Sequence, residues 1–190
     1  MCEGRETEPN YFRALRNEPS VHKKFAVTVK KGRGGSRLDI VRQAVEEKEQ
    51  GGGEFDETWC VLDVEHPHSI DAQDDLAQAV DLGRRNEIRL AFSNPSFEVW
   101  LLAHFLRSSR SFPGCGAVVV ELNKQWNRHL GQAAPYDKSD EKIYSRLAGL
   151  TRQAIDNARA VRENDHAGEA DILKCNSATD VYLLVERLLS

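Results

Sequence analysis

No apolar run in this 190-residue chain is long enough to cross a bilayer. The longest, Val99 to Leu106, has eight residues and contains His104, against about 20 for a span. The first residues, Met1-Cys2-Glu3-Gly4-Arg5-Glu6, lack the apolar core of a secretory signal. No two of the four cysteines, Cys2, Cys60, Cys115 and Cys175, form a CxxC pair, so neither a zinc ribbon nor a thioredoxin-like site is suggested. Scattered thiols fit a reducing compartment, and a cytoplasmic location is expected. There is no internal repeat, no low-complexity tract and no Walker A loop. Nor is there an excess of positive charge. With 26 basic and 30 acidic side chains the formal net charge is -4, so any nucleic-acid partner must meet a local basic patch.

What is present is a soluble composition, 40% hydrophobic and 29% charged, in one domain's length of chain. Lys24 to Val29 is a short aromatic and β-branched run that reads as a strand. Ser36 caps a helix to about Gln50, ended by Gly51-Gly52-Gly53. Thr58 to Val64 is a strand apolar almost throughout, as in a sheet covered on both faces. A helix over Ile70 to Arg85, a strand over Glu87 to Phe92 and a helix opened by Asn94-Pro95 follow. This order argues for an α/β fold, a parallel sheet flanked by helices. After the loop at 107–116 the chain reads helical: Ala117 to His129, Asp140 to about Asp165, and Ala178 to Leu189. The expected division of the single domain is an α/β core over 1–106 and a helical C-terminal extension over 107–190. Cys2-Glu3-Gly4 before a helix near Pro9 looks like the end of a strand, so the first strand reads as truncated.

Asp63-Val64-Glu65 ends the second apolar strand. Side chains two apart share a face, and ligands of open α/β sheets bind at the carboxyl ends of strands. Two acids there make a hard oxygen site suited to Mg²⁺ or Mn²⁺; capping of the next turn is the plainer alternative. Glu3 precedes a tight strand-to-helix turn and falls near Asp63 and Glu65 if Cys2 pairs beside Val61. Glu98 lies in the first turn of an apolar helix, where a buried carboxylate needs a partner, an arginine for instance, or a metal. His104 is about 120° round from Glu98 and reads as a core histidine. Lys23, Lys24, Lys30, Lys31, Arg33 and Arg37 place six cations within fifteen residues, the last four interleaved with glycines ahead of a helix. Lys30, Lys31, Arg33 and Arg37 are candidate contacts for a nucleic-acid backbone, with a solvated turn as the alternative. His66 and His68 have a spacing that can ligate zinc, but no third ligand is evident.

Three ordered motifs resemble the RloB family. Cys2-Glu3-Gly4-Arg5-Glu6-Thr7-Glu8-Pro9-Asn10-Tyr11-Phe12 is similar to its opening motif. Ser93-Asn94-Pro95-Ser96-Phe97-Glu98-Val99-Trp100-Leu101-Leu102-Ala103-His104-Phe105 is similar to its central motif, and Asn176 to Val185 to its C-terminal signature. Tyr136-Asp137-Lys138 sits where that family often has a Tyr-x-Lys turn. The resemblance implies a TOPRIM-like Rossmannoid core, a role in phage defence or abortive infection, and an AAA-type ATPase encoded nearby. It also implies a Mg²⁺-dependent nuclease site with Asp63 and Glu65 on the metal. Glu3 would then move a proton or help hold a second ion, and Glu98 would orient a metal-bound water. The second acid of the pair is glutamate here instead of aspartate, which keeps the charge and lengthens the reach. Two other readings stand beside this one. The first is a non-catalytic subunit that binds nucleic acid or the ATPase, with association of copies within the complex left open. The second is a phosphohydrolase with Asp63 as nucleophile, which lacks the downstream lysine and acidic pair it needs.

Overall fold

A computed structural model describes residues 1–65, 70–131, 135–168 and 171–190. His66 and His68 lie outside the described residues. The protein is mixed α/β, a two-stranded parallel sheet flanked by helices. The chain begins with α1 (Thr7–Leu15), α2 (Pro19–His22) and α3 (Arg37–Gln50), then β1 (Thr58–Asp63), α4 (Ile70–Arg85) and β2 (Ile88–Ser93). It continues through α5 (Glu98–Ala103), α6 (Cys115–Leu130), α7 (Ile143–Leu147), α8 (Thr151–Ala160) and α9 (Val181–Leu189). Among the described residues, no helix is long and apolar enough to cross a membrane.

β1 and β2 pair in parallel register from Thr58 opposite Ile88 to Asp63 opposite Ser93. Successive side chains leave a strand on opposite faces, and both faces of β1 are buried. Cys60, Leu62 and Val64 pack with Ile40, Val41, Leu76 and Ala79 of α3 and α4. Val61 faces the other way, into a cluster built from α1, α5 and α6 to α9. α3 starts where the sequence says it must. Ser36 Oγ accepts from the Asp39 N–H while Asp39 Oδ2 accepts from the Ser36 N–H, a reciprocal cap.

α5 is buried on every side, Glu98 included. Its Trp100 and the following His104 meet Tyr11 of α1 edge-on, with ring centroids 6.2 and 6.0 Å away. His104 is fully buried, its Nδ1 3.0 Å from Trp100 O, and burial pushes its pKa down to about 4. It is a core histidine, as its place in the sequence suggested.

Three expectations need correction. The run Lys24 to Val29 forms no ladder. It is extended, with Phe25, Val27 and Val29 half-buried and Ala26 and Thr28 exposed, the alternation of a strand without a partner. The reason is spacing. Cys2 bridges in parallel to both Lys31 and Val61. The segment therefore stands two strand spacings from β1, about 10 Å, too far for direct bonding. The sheet is accordingly narrower than expected, two strands extended by isolated bridges at Cys2 and, antiparallel, between Ser93 and Thr179. The single helix read over 140–165 is divided into α7, a 3₁₀ turn at Ala148–Leu150, α8 and a π-helical turn at Val161–Asp165. Gly149 lies at the first break, where glycine is a poor helix former.

Leu62 is fully buried on β1. Leu62→Ala is expected to lower unfolding free energy by about 2–5 kcal/mol, read from urea denaturation, whereas Leu183→Ala on the half-exposed face of α9 should change it by less than about 0.5 kcal/mol. Equal effects at the two positions would contradict this core assignment.

Candidate active site

The carboxyl end of β1 gathers acids from three separate parts of the chain. Residues 1–3 lie beside β1, with the Glu3 N–H donating to Val61 O at 3.0 Å and the Val61 N–H to Met1 O at 2.9 Å. This carries the Glu3 side chain over the strand end, where Glu3 Oε2 accepts the Asp63 N–H at 2.9 Å. The chain then turns at Gly4, whose N–H donates to Glu8 Oε1 at 3.1 Å. A Cβ on Gly4 would stand 2.0 Å from Glu8 Oε2, so a side chain here would displace the Glu8 carboxylate from the turn. Glu8 is buried in the first turn of α1, where the helix dipole favours negative charge. Glu65, exposed, has φ 31 and donates its N–H to Pro95 O at 2.9 Å, next to the cis Asn94–Pro95 peptide.

Glu98 holds the other side. Its Oε2 accepts from Ser96 Oγ at 2.7 Å, and its Oε1 accepts from Tyr136 Oη at 3.1 Å and from Lys138 Nζ at 2.9 Å. A partner for this buried carboxylate was expected, but an arginine; the ion pair is with Lys138. The thiol of Cys115 lies 3.5 Å from Glu98 Oε2 and 3.9 Å from Lys138 Nζ. Thr7 Oγ1 donates to Lys138 O at 3.1 Å, fixing the Tyr136–Lys138 turn to the start of α1.

The electrostatics follow from this crowding. Asp63 is pushed well above the ordinary carboxylate range, first by burial, then by the charges of Glu8, Glu3, Glu98 and Glu65. Its Oδ1 is buried without a hydrogen-bond partner among the described residues. Burial also raises Glu3, against the Asp63 N–H and the nearby Arg37 guanidinium, and raises Glu8. Glu98 runs the other way. Burial disfavours its charge, but hydrogen bonds from Lys138 and Ser96 outweigh that and hold it below the usual range. Lys138 is correspondingly raised: burial opposes its charge, and Glu98 more than compensates.

The sequence-derived candidates Glu3, Asp63, Glu65 and Glu98 thus share one electrostatic neighbourhood. Glu8 and Lys138 belong to it too, and neither was singled out for its chemistry. Glu8 reads as a helix-start acid, and Lys138 is distant in sequence; the Tyr-x-Lys resemblance was the available signal. Among the described residues, no group of three or more His, Cys, Asp or Glu is arranged to hold a metal ion as it stands. An orphaned buried carboxylate oxygen amid further carboxylates nevertheless fits a hard divalent cation.

The basic loop divides in use. Lys30 pairs with Glu47, and Arg33 with Glu46 at 2.7 Å. Arg37 is a clamp on the strand end, donating to Asp63 O at 2.9 Å and Val64 O at 2.7 Å while pairing with Asp75 at 3.3 Å. Lys31 is exposed, and its side chain pairs with none of the described residues.

The raised Asp63 has a consequence for stability. An unfolded aspartate gives up its proton near 3.8, whereas the folded one keeps it to higher pH. Over that interval the folded state holds more protons, so stability falls as pH rises. Asp63→Asn is therefore expected to be more stable than the parent at pH 8, with the difference closing toward pH 4, measured as urea midpoints at pH 4, 6 and 8. A variant no more stable than the parent at pH 8 would overturn this.

The chain matches the family described as RloB-like protein over residues 1–188, and it belongs to that family. No curated protein and no solved structure matches it.

Proposed function

We propose that this member of the RloB-like family is a divalent-cation-dependent enzyme that hydrolyses nucleic-acid phosphodiesters. Its setting is phage defence, as an effector that depends on a neighbouring AAA-type ATPase for its activity. The observation that carries the reading is the end of β1, where Asp63 has a buried, unpartnered oxygen among four other carboxylates. Such a site is short of positive charge. Asp63 and Glu65, with Glu3, are the residues to hold Mg²⁺ or Mn²⁺. When bound, the ion supplies Lewis-acid stabilisation of phosphoryl oxygens and lowers the pKa of water.

The chain's own groups take the remaining roles. Glu8, raised by burial, is suited to hold or pass a proton. Lys138, kept protonated by Glu98, is placed to donate to a phosphate oxygen, and Glu98 positions it. Lys31, whose side chain pairs with none of the described residues, is available to a backbone phosphate, so Lys31→Ala should reduce the slope of log affinity against log salt by about 1. The sheet, widened by the bridges at Cys2 and Lys31, serves in this reading as a reduced TOPRIM-like core.

A second reading, a non-catalytic subunit, is favoured by one observation: Glu98 and Glu3 are already engaged, by Lys138 Nζ and by the Asp63 N–H. Metal binding separates the two. Calorimetric titration with Mn²⁺ at pH 6, 7 and 8 should show affinity rising with pH and proton release on binding, since the ion displaces the proton of Asp63. Asp63→Asn should lose the binding while remaining folded. Cleavage of DNA or RNA should appear with Mg²⁺ and the ATPase and vanish in the same variant. Absence of Mn²⁺ binding by the folded parent would leave the non-catalytic reading standing.

A further inference from the structure

Residues two apart on a strand send their side chains to the same face. Asp63 and Glu65 do not follow that rule. β1 ends at Asp63, and Glu65 has φ 31, on the left-handed side that residues other than glycine avoid. Asp63 keeps a carboxylate oxygen buried, whereas Glu65 is exposed. A backbone of this kind persists only where its surroundings over-determine it.

The bonds that hold it come from two sides. Toward β2, the Val64 N–H donates to Ser93 O at 2.8 Å and the Glu65 N–H to Pro95 O at 2.9 Å. Successive N–H groups of a regular strand point to opposite edges, so two that donate to one corner mark a chain already rotated out of the strand. Toward α3, the carbonyls of the same two peptides are taken by one side chain. Arg37 Nε donates to Asp63 O at 2.9 Å and Nη2 to Val64 O at 2.7 Å. Each peptide flanking Val64 is thus gripped at both ends. The remaining Nη1 meets Asp75 Oδ2 of α4 at 3.3 Å, and Asp75 Oδ1 accepts the Leu38 N–H at 3.3 Å. The Arg37 and Asp75 side chains are only 13% and 15% exposed. A lysine could not replace this fork, because a guanidinium holds its donors in fixed directions and an ammonium is a point charge.

We propose that Arg37, braced by Asp75, is a positioning residue that turns Glu65 out of the strand and aims its carboxylate back over the strand end, toward Asp63 and Glu3. The charge of Glu65 acts on both of those acids, which places it within their reach. What Glu65 does once aimed rests on the metal-binding reading above; what Arg37 does to Glu65 rests on these hydrogen bonds alone. The sign of the charge separates this role from an electrostatic one. Arg37 lies close enough to Glu3 to favour its charged form. As a bare charge it would repel a divalent cation, and its removal would tighten binding. As a positioning residue its removal loosens binding in spite of the lost repulsion.

The test compares Arg37→Lys, Arg37→Gln and Asp75→Asn with the parent in the full chain, each first shown to be folded by its urea transition. The three-bond coupling between the amide and α protons of Glu65 reports φ there without metal, and calorimetric titration reports Mn²⁺ affinity. Both Arg37 variants should shift the coupling toward that of an extended residue and weaken Mn²⁺ binding by about 10–100-fold. Asp75→Asn, which leaves the fork on the carbonyls, should move both readouts the same way by less. An unchanged coupling in folded Arg37→Lys would overturn the proposal, and so would an Mn²⁺ affinity in Arg37→Gln equal to or above the parent's. If neither Arg37 variant folds, Asp75→Asn decides, and no change in either readout overturns the proposal. If the parent binds no Mn²⁺, the metal-binding reading fails, and the coupling alone decides whether Arg37 sets Glu65.

Discussion

Like charge crowded into a partly dry space is the constraint around which this site is organised. Glu3, Glu8, Asp63, Glu65 and Glu98 all act on the end of one strand, where water screens them poorly. The surrounding structure offsets that repulsion with fixed donors. The Asp63 N–H serves Glu3, the Gly4 N–H serves Glu8, and Ser96, Tyr136 and Lys138 serve Glu98. Arg37 satisfies the two carbonyls that close β1 while lying near Glu3. Only Asp63 Oδ1 among these carboxylate atoms is buried and without a partner among the described residues. Imperfect satisfaction of this kind lowers folding stability and is a familiar feature of sites that bind or react.

Legibility in the sequence tracked the range of the interactions involved. β1, β2, α3 and α4 announce themselves through apolar periodicity and local caps, and their bounds came close. Asp63, Glu65 and Glu3 were readable because strand ends are where α/β sheets place ligands. Glu98 was readable as a buried acid, but its partner was not, since nothing local links it to Lys138, 40 positions on. Glu8 escaped notice because an acid in a first helical turn has a sufficient local explanation. Its burial depends on Gly4 admitting the carboxylate against the backbone.

Lys24 to Val29 carries the opposite lesson. Its alternation is that of a strand and its side chains alternate in exposure accordingly, yet a strand exists only by pairing. Composition specifies which face is buried; a neighbour in reach completes the ladder. Similarly, the C-terminal helices were foreseen as helical, but the break at Gly149 divides what periodicity alone would join.

The Ser93–Asn94 corner and the Ala178–Asp180 segment are laced together. The Asn94 N–H donates to Ala178 O, the Asp180 N–H to Phe92 O, and the hydroxyls of Ser93 and Thr179 meet at 2.7 Å across 86 positions of chain. At the other edge, residues 1–3 reach β1 across about 60. Closing loops of these lengths costs chain entropy before any contact repays it, so assembly is governed by topology more than by local helix formation. A ribosome delivers the N-terminal half first. The acids at the end of β1 therefore emerge well before the last residues that lock the β2 corner beside them. During synthesis the crowded carboxylates belong to a partly assembled sheet, and their full desolvation is deferred until the chain is almost complete.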